Sequence, residues 1–260
     1  MRQPMNKRQR EFVAPEKEAH EFFKKRSRRA FLTAGVATMA AAGGYKWMRS
    51  RPQENMAPWP ERKVLRFNER IGKAYLSDGH LAPTYSASEI GKLRPNGTDG
   101  LDEDVDAEHW RLQVEAGGPA LTLTLTLDDI KALPRVTQIV KLHCIEGWST
   151  VVQWTGARFA DFTRKYLPPG QSLPEYVYME TPDSNYYVGL DAKSAMHPQT
   201  LLCYERNGNP LEDEHGAPLR LVIPVKYGVK SIKRVGLIRY TSTRPADYWA
   251  EQGYDWYIGL

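Results

Sequence analysis

The sequence predicts an α+β fold, in which many short strands form mixed sheets and a few short helices lie between them. Of the 260 residues, 41% are hydrophobic, which is typical of a globular protein with a substantial core. Alternating apolar and polar residues recur through the C-terminal half, and helical patterns there are few and short. Strands and helices do not alternate regularly, so a doubly wound parallel sheet is not expected.

Residues 1–49 are predicted to be an export signal. A basic run at residues 24–29 precedes residues 30–45, which are uncharged and rich in Ala and Gly. Residues 27–32 read SRRAFL and resemble the twin-arginine signal, which directs export of folded proteins. We therefore expect a periplasmic protein. Residues 46–49 would also suit an interfacial segment, so retention as an uncleaved membrane anchor stays open.

The distribution of charge argues against a nucleic-acid partner. The formal net charge is +5, but residues 1–50 hold 12 Lys and Arg against 4 Asp and Glu. The rest of the chain holds 24 against 27. The folded part therefore has no basic excess with which to neutralise a phosphate backbone.

Residues 50–106 are predicted to form an N-terminal arm with an acidic loop, ahead of a catalytic domain at residues 107–260. Prolines punctuate residues 50–93, where one helix is expected at 64–76. Residues 96–106 are rich in Gly and Asp, which indicates an exposed loop.

In the catalytic domain, period-two alternation and short apolar runs predict the strands. They are expected at residues 112–114, 121–125, 138–143, 175–180, 186–190, 201–205, 219–223 and 231–240. Thr126, followed by Asp128 and Asp129, predicts the start of a helix that Pro134 ends. Two more helices are expected at 159–166 and 191–196, each stopped ahead of proline.

The two cysteines, Cys144 and Cys203, are too few for a disulfide framework. No CxxC or HExxH spacing is present, which argues against a zinc site or an iron–sulfur cluster built from this chain alone. Cys203 lies in an apolar run and is expected to be buried. Cys144 ends a predicted strand, where a Gly-Trp-Ser stretch is expected to end the pairing and open a loop.

Two motifs carry a resemblance to a known family. Residues 141–149 read KLHCIEGWS, and residues 215–224 read HGAPLRLVIP, followed by SIK at 231–233. The chain from about residue 68 onward resembles sulfite-oxidase-like molybdopterin oxidoreductases, nearest to the catalytic subunits of periplasmic protein-methionine-sulfoxide reductases. The resemblance implies their fold and a molybdenum–molybdopterin cofactor.

By this resemblance, Cys144 is the catalytic residue and the protein's ligand to molybdenum. The resemblance also implies a set of pterin-binding residues, namely Asn68, Thr181, His215, Arg220, Ser231, Ile232 and Lys233. Their chemistry agrees, because a thiolate suits a high-valent metal and the Arg220 and Lys233 cations suit the pterin phosphate. The chain departs from the reductase pattern at Ile71 and Gly72, and at His215, which leaves the substrate open.

The expected reaction is a two-electron oxygen-atom transfer, either reduction of a sulfoxide or N-oxide or oxidation of a sulfite-type substrate. Because no haem or iron–sulfur motif is visible, we expect a separate electron partner, a membrane haem protein or a cytochrome. No segment is left for the dimerisation domain of sulfite oxidases, so a monomer is expected. Two alternatives stay open: an exported ligand-binding protein of the same fold without metal, and a cofactor-free thiol enzyme using Cys144 with His143 or His215.

Overall fold

The computed structural model describes the backbone of residues 7–101, 105–117 and 121–260, with the side chains of these ranges from residue 26 onward and at 20 and 24. The chain divides into two units, Met1–Pro52 and Gln53–Leu260. In the first unit, Lys7–Arg49 forms helix α1. Among the described residues, no helix combines the length and the apolar character that crossing a membrane requires. The twin-arginine signal at residues 1–49 stays a prediction.

The described residues of the second unit form twelve strands, five α-helices and three short 3₁₀ helices. The strands are β1 (Gln53–Glu54), β2 (Ala57–Pro58), β3 (Leu112–Glu115), β4 (Thr122–Leu125), β5 (Arg135–His143), β6 (Ser149–Arg158), β7 (Tyr176–Glu180), β8 (Tyr187–Asp191), β9 (Leu201–Arg206), β10 (Asn209–Pro210), β11 (Arg220–Val222) and β12 (Leu237–Thr241). The helices are α2 (Trp59–Tyr75), α3 (Leu127–Lys131), α4 (Phe159–Tyr166), α5 (Ala192–Ala195) and α6 (Tyr248–Glu251), with 3₁₀ turns at Ala87–Glu89, Asp213–His215 and Gly228–Lys230.

Two five-stranded sheets form the body of this unit. The first has the order β10-β9-β6-β5, and β11 also pairs with β9. The second has the order β4-β3-β12-β7-β8, in which only β12 and β3 are parallel. Antiparallel pairing within mixed sheets, with short helices between strands, is the α+β arrangement that the sequence predicts.

The centre of the first sheet, formed by β6, β9 and β11, is buried on both faces. Leu202 of β9 and Leu221 of β11 belong to the main hydrophobic core, which also contains residues of the second sheet and of α4. Their neighbours Leu201 and Val222 belong to a second core. Successive side chains of a strand point to opposite faces, so β9 and β11 each supply both cores.

Most of the predicted elements are confirmed, with shifts of a few residues at their ends. The predicted start of α3 is confirmed by two reciprocal hydrogen bonds. The Thr126 hydroxyl accepts from the Asp129 amide, and the Asp129 carboxylate accepts from the Thr126 amide. One strand prediction is wrong at its start, and one strand was missed. The strand predicted at 231–240 begins only at Leu237, and β6 was not predicted because Ser149–Arg158 lacks clear alternation.

The chain before the sheets lies along an edge of the first one. The amide of Tyr85 donates to the carbonyl of Ile139 at 3.0 Å, and Thr84 bridges to Val140. Because β5 ends the strand order of this sheet, these contacts cover an edge that would otherwise be open to pairing with another chain.

Lys226 predicts a specific dependence of stability on pH. Its side chain is buried, and Nζ donates to the Tyr257 carbonyl at 2.7 Å. Burial lowers the pKa of Lys226 to about 7, with the Asp191 charge opposing the shift. In the unfolded chain a lysine has a pKa of about 10.4, so between these values the unfolded state binds more protons. The free energy of unfolding should therefore rise with pH from about 7, by up to about 1.4 kcal/mol per pH unit.

In Lys226→Met this contribution is removed, while every other titrating group is retained. Urea unfolding of both proteins across this pH range measures it as a difference. If the free energy of unfolding changes with pH equally in the two proteins, Lys226 does not titrate as a buried lysine.

Candidate active site

Cys144 lies at the tip of a long β-hairpin. Strands β5 and β6 pair without interruption from Arg135 and Ala157 to His143 and Ser149. The turn closes through hydrogen bonds from the Cys144 amide to the Trp148 carbonyl, at 2.9 Å, and from the Gly147 amide to the Cys144 carbonyl, at 3.1 Å. The sequence predicted that the Gly-Trp-Ser stretch opens a loop. The structure shows that it instead completes a tight turn and leads directly into β6.

The thiol of Cys144 has one described hydrogen-bond partner, Asn96. Asn96 Nδ2 donates to Cys144 Sγ at 3.6 Å, and Cys144 is buried. Trp148 Nε1 donates to Glu146 Oε2 at 3.0 Å. This hydrogen bond, and then one from Asn96, lower the pKa of Glu146, which keeps this exposed carboxylate ionised at neutral pH. Asn96 therefore links the thiol to a negatively charged rim.

Arg220 supplies a buried positive charge at the start of β11. Its guanidinium donates to the carbonyls of His215 and Ser231, each at 2.9 Å, and lies 4.7 Å from the ring centroid of Trp154. Burial lowers the pKa of Arg220 to about 10, so the side chain stays charged at neutral pH. No described carboxylate forms an ion pair with it. A buried cation that is bonded only to neutral groups favours an anionic ligand.

Lys233 provides a second cation in the same place. Its Nζ donates to the carbonyls of Asn96 and Gly97, at 2.9 and 3.0 Å. Burial and the nearby charge of Arg220 lower the pKa of Lys233 to about 8. Asp99 and Glu214 oppose this shift, but in the described part of the chain neither lies within ion-pair distance of Lys233. The two cations are thus available to an anion such as a phosphate.

The turn that ends in Gly216 sets the backbone beside Lys233. Gly216 closes the Asp213–His215 turn with φ +98°, in the left-handed region. A Cβ at this position would lie 2.8 Å from Lys233 Cα and 2.9 Å from the Arg234 amide nitrogen. A glycine is therefore needed for this close approach.

His215, the residue before Gly216, is buried. Burial lowers the pKa of His215, so its ring is neutral at pH 7.

One cavity joins these parts. It has a volume of about 240 Å³. Six of the eight residues that the sequence predicts for the site line it, namely Cys144, His215, Arg220, Ser231, Ile232 and Lys233. The remaining wall includes Arg94, Asn96, Asp99, Glu146, Trp148, Tyr186 and Trp249.

The other two predicted residues do not line the cavity. Thr181 is buried, and its hydroxyl donates to Asp183 Oδ1 at 2.5 Å and accepts from the Tyr186 amide at 3.2 Å. Asn68 is exposed on α2. The asparagine at the cavity is Asn96, and pterin binding by Thr181 and Asn68 stays a prediction without support from this geometry.

Sequence reasoning missed Arg94, Asn96 and Asp99. Residues 96–106 were predicted to be an exposed loop, and Gly97, Thr98 and Asp99 are exposed as predicted. Part of this loop also lines the cavity, which was not predicted; residues 102–104 lie outside the described residues. The available signal was the Asn96-Gly97 pair, which predicts a turn but not a ligand. Contacts with Lys233 and Cys144, both distant in sequence, give the loop its place.

Gly216→Ala should destabilise the protein and lower its capacity for an anionic ligand. The added Cβ would have to displace the backbone at Lys233 and Arg234, and alanine at φ +98° is strained. Together these should cost about 2 kcal/mol or more of unfolding free energy. Gly208→Ala is the matched control, since Gly208 has φ +82° but nothing lies within 4 Å of the added Cβ. Equal losses in the two variants, measured by chemical denaturation, would show that strain alone acts at Gly216.

Comparison with known proteins agrees with this geometry. Residues 100–249 match the family described as the oxidoreductase molybdopterin binding domain. The chain belongs to this family. It is therefore a molybdopterin-binding oxidoreductase, and the predicted enzyme class and sulfite-oxidase-like α+β fold are confirmed.

Relatives and one solved structure add detail. A putative protein-methionine-sulfoxide reductase subunit YedZ1 from Azospira oryzae is 36% identical over 199 residues, covering 75% of this chain and 74% of that protein. The protein-methionine-sulfoxide reductase catalytic subunit MsrP of Campylobacter jejuni is 32% identical over 192 residues, covering 68% and 64%. The sulfane dehydrogenase SoxCD from Paracoccus pantotrophus matches at 20% identity with a TM-score of 0.48, covering 55% of this chain and 40% of that chain.

Independently of these comparisons, the residues that line the cavity fit a molybdopterin. Arg220 and Lys233 offer two cations without described carboxylate partners, which complements a phosphate. Cys144 offers a single soft sulfur in the same cavity. In the described part of the chain, no group of three or more His, Cys, Asp or Glu side chains is arranged to hold a metal.

Proposed function

We propose that this chain is a molybdenum-dependent reductase of sulfoxides in which Cys144 is the protein's ligand to the metal. The observation that carries the proposal is the joint lining of one cavity by the Cys144 thiol, the buried guanidinium of Arg220 and the half-buried ammonium of Lys233. Relatives named as protein-methionine-sulfoxide reductase subunits favour a sulfoxide over the N-oxide and sulfite alternatives.

Arg220 and Lys233 would hold the phosphate of the pterin. The planar guanidinium offers paired donors, and its stacking on Trp154 together with its bonds to two carbonyls keeps it in one orientation. Lys233 adds a compact charge, and Ser231 and Ile232 line the same part of the cavity. The arrangement is set before a ligand binds, because each cation already has backbone partners.

Cys144 would bind the metal as a thiolate, and the amide of Asn96 would orient its sulfur through the N–H···S hydrogen bond. When bound, the molybdenum cofactor supplies two-electron oxygen-atom transfer. Reduction of a sulfoxide consumes two electrons and two protons and releases a thioether and water. The turn at residues 144–148 holds the sulfur at the end of two paired strands, which limits its movement.

The rim of the cavity would admit the substrate. Arg94, Asp99 and Glu146 line the cavity and are exposed, so its mouth opens to solvent. An open mouth suits a sulfoxide carried on a larger molecule, such as an oxidised methionine side chain of a protein. Trp148, half-buried beside Glu146, offers an apolar wall for the methyl and methylene groups of that side chain.

We further propose that the protein acts after export and receives electrons from a separate protein. The twin-arginine pattern at residues 27–32 supports export in a folded, cofactor-loaded state. The electron donor is a membrane haem protein or a soluble cytochrome, since no haem or iron–sulfur motif is visible in the sequence.

Metal analysis and a substrate screen test the proposal. Protein purified from cells that make molybdopterin should contain about one molybdenum per chain and should reduce methionine sulfoxide with an artificial donor. A metal-free protein that binds a small ligand would favour the ligand-binding alternative. Activity in metal-free protein that requires Cys144 would favour the thiol enzyme, although the described partner of its sulfur is Asn96 rather than an imidazole.

A further inference from the structure

Helix α2 faces its own domain with charged side chains and faces solvent with apolar ones. Arg62 and Glu69 are each 6% exposed, whereas Val64, Phe67, Ile71 and Tyr75 are 58%, 56%, 54% and 64% exposed. The four apolar residues follow a spacing of three and four, so they form one stripe, here named the outer face of α2. An amphipathic helix that packs only on its own domain has the opposite arrangement.

The buried charged side chains of α2 are bonded to partners in this unit, and these bonds hold the helix in its orientation. Arg62 donates to the carbonyls of Glu54, Asn55, Ala250 and Tyr254. Glu69 pairs with Arg244 at 2.9 Å and with Lys73 at 2.7 Å. Rotating α2 to bury the apolar stripe would break these bonds and leave the carbonyls of Asn55 and Ala250 without the donors of Arg62, which is costly. The outer face is therefore a stable feature of this unit.

Basic residues border the outer face on one side. Lys63 and Arg70 lie along the same edge of the helix, and in the described part of the chain neither forms an ion pair with a carboxylate. Lys63 Nζ lies 4.3 Å from the ring centroid of Trp59, which begins the helix. An apolar stripe that contains aromatic residues and has a basic border is the pattern of a helix that lies in a membrane interface.

The preceding sequence points to the same partner. Residues 30–45 are uncharged, and Lys46, Trp47, Arg49 and Arg51 follow them shortly before α2. A weak anchor gains stable membrane binding when a second contact with the bilayer is added. A second copy of the chain is a poorer match, because a stable dimer buries roughly 800 Å² per partner, more than four side chains provide.

We propose that the outer face of α2 lies on the surface of an anionic lipid bilayer. Val64, Phe67, Ile71 and Tyr75 insert among the acyl chains and headgroups, and Lys63 and Arg70 contact the anionic headgroups. The surface is independent of the cofactor cavity, so its failure would leave the proposed reductase function untouched.

Vesicle flotation with the purified full-length protein tests this surface. The vesicles are phosphatidylcholine alone, or phosphatidylcholine mixed with phosphatidylglycerol. We expect F67E/I71E to lower the partition coefficient on the mixed vesicles on the order of tenfold or more. The matched control is L121E/L173E, which adds the same charges at residues that are 44% and 40% exposed elsewhere in the unit. It should bind as the parent does.

A second variant, K63E/R70E, tests the basic border without touching an apolar residue. It should lose the preference for phosphatidylglycerol, by about tenfold, and keep its weak binding to phosphatidylcholine. Circular dichroism and thermal unfolding establish that each variant is folded. Equal vesicle binding by F67E/I71E and the control would overturn the proposal. The proposal would also fail if F67E/I71E lost self-association in light scattering while its vesicle binding stayed unchanged.

Discussion

Replacing Cys144 with serine is expected to lower sulfoxide reduction by about a thousandfold or more. Serine keeps the size of the side chain but replaces the soft sulfur with a hard, weakly acidic oxygen, which is a poor match for a metal already held by sulfurs. The pterin-binding end of the cavity is unchanged, because Arg220 and Lys233 keep their backbone hydrogen bonds. The variant should therefore keep its pterin while its metal environment changes.

Pterin content, the molybdenum EPR signal and activity are measured in Cys144→Ser to test whether Cys144 is the metal ligand. Pterin released by denaturation is quantified by fluorescence and should match the parent, and the molybdenum EPR signal should differ from that of the parent. Cys203→Ser is the control, because Cys203 is fully buried on β9 and does not line the cavity. If Cys144→Ser keeps the parent's EPR signal and activity, Cys144 is not the metal ligand.

Replacing Arg220 with methionine is expected to lower the cofactor content on the order of tenfold or more. A charge-assisted hydrogen bond to a phosphate contributes about 1.5–3 kcal/mol, and Arg220 is the more deeply buried of the two cations. Arg220→Lys should retain part of the cofactor, because it keeps the charge and loses the planar pair of donors. Arg135→Met is the control, since Arg135 is exposed and pairs with Glu205 on the surface.

Cofactor uptake should also depend on pH through Lys233. The pKa of Lys233 is about 8, so the side chain is charged below that pH and increasingly neutral above it. Uptake of a phosphate-bearing ligand should therefore weaken as pH rises past about 8, and Lys233→Met should abolish this dependence.

The Arg220 prediction has its own contrary outcome. Full cofactor content in Arg220→Met, with the fold intact by circular dichroism, would refute the phosphate site.

Local patterns were enough to predict many of the elements. The capping box at Thr126 and the prolines after α4 act within a few residues, so their effect can be derived from sequence. The motif around Cys144 and the stretch from His215 to Lys233 likewise carry most of the cavity lining, since six of those predicted residues meet there. Strand β6 was missed because burial on both faces removes the alternation by which a strand is recognised.

The sequence by itself determined the chemistry that is available: one thiol at a strand end, a conspicuous pair of cations near the C-terminal motif, and an uncharged segment after a basic run. Only the tertiary structure decided which of these groups meet. Asn96 reaches Cys144 and Lys233 across 48 and 137 residues of chain, and no local pattern encodes such a contact. The orientation of α2 was decided in the same way, because the bonds of Arg62 and Glu69 to distant residues outweigh the burial of its apolar stripe.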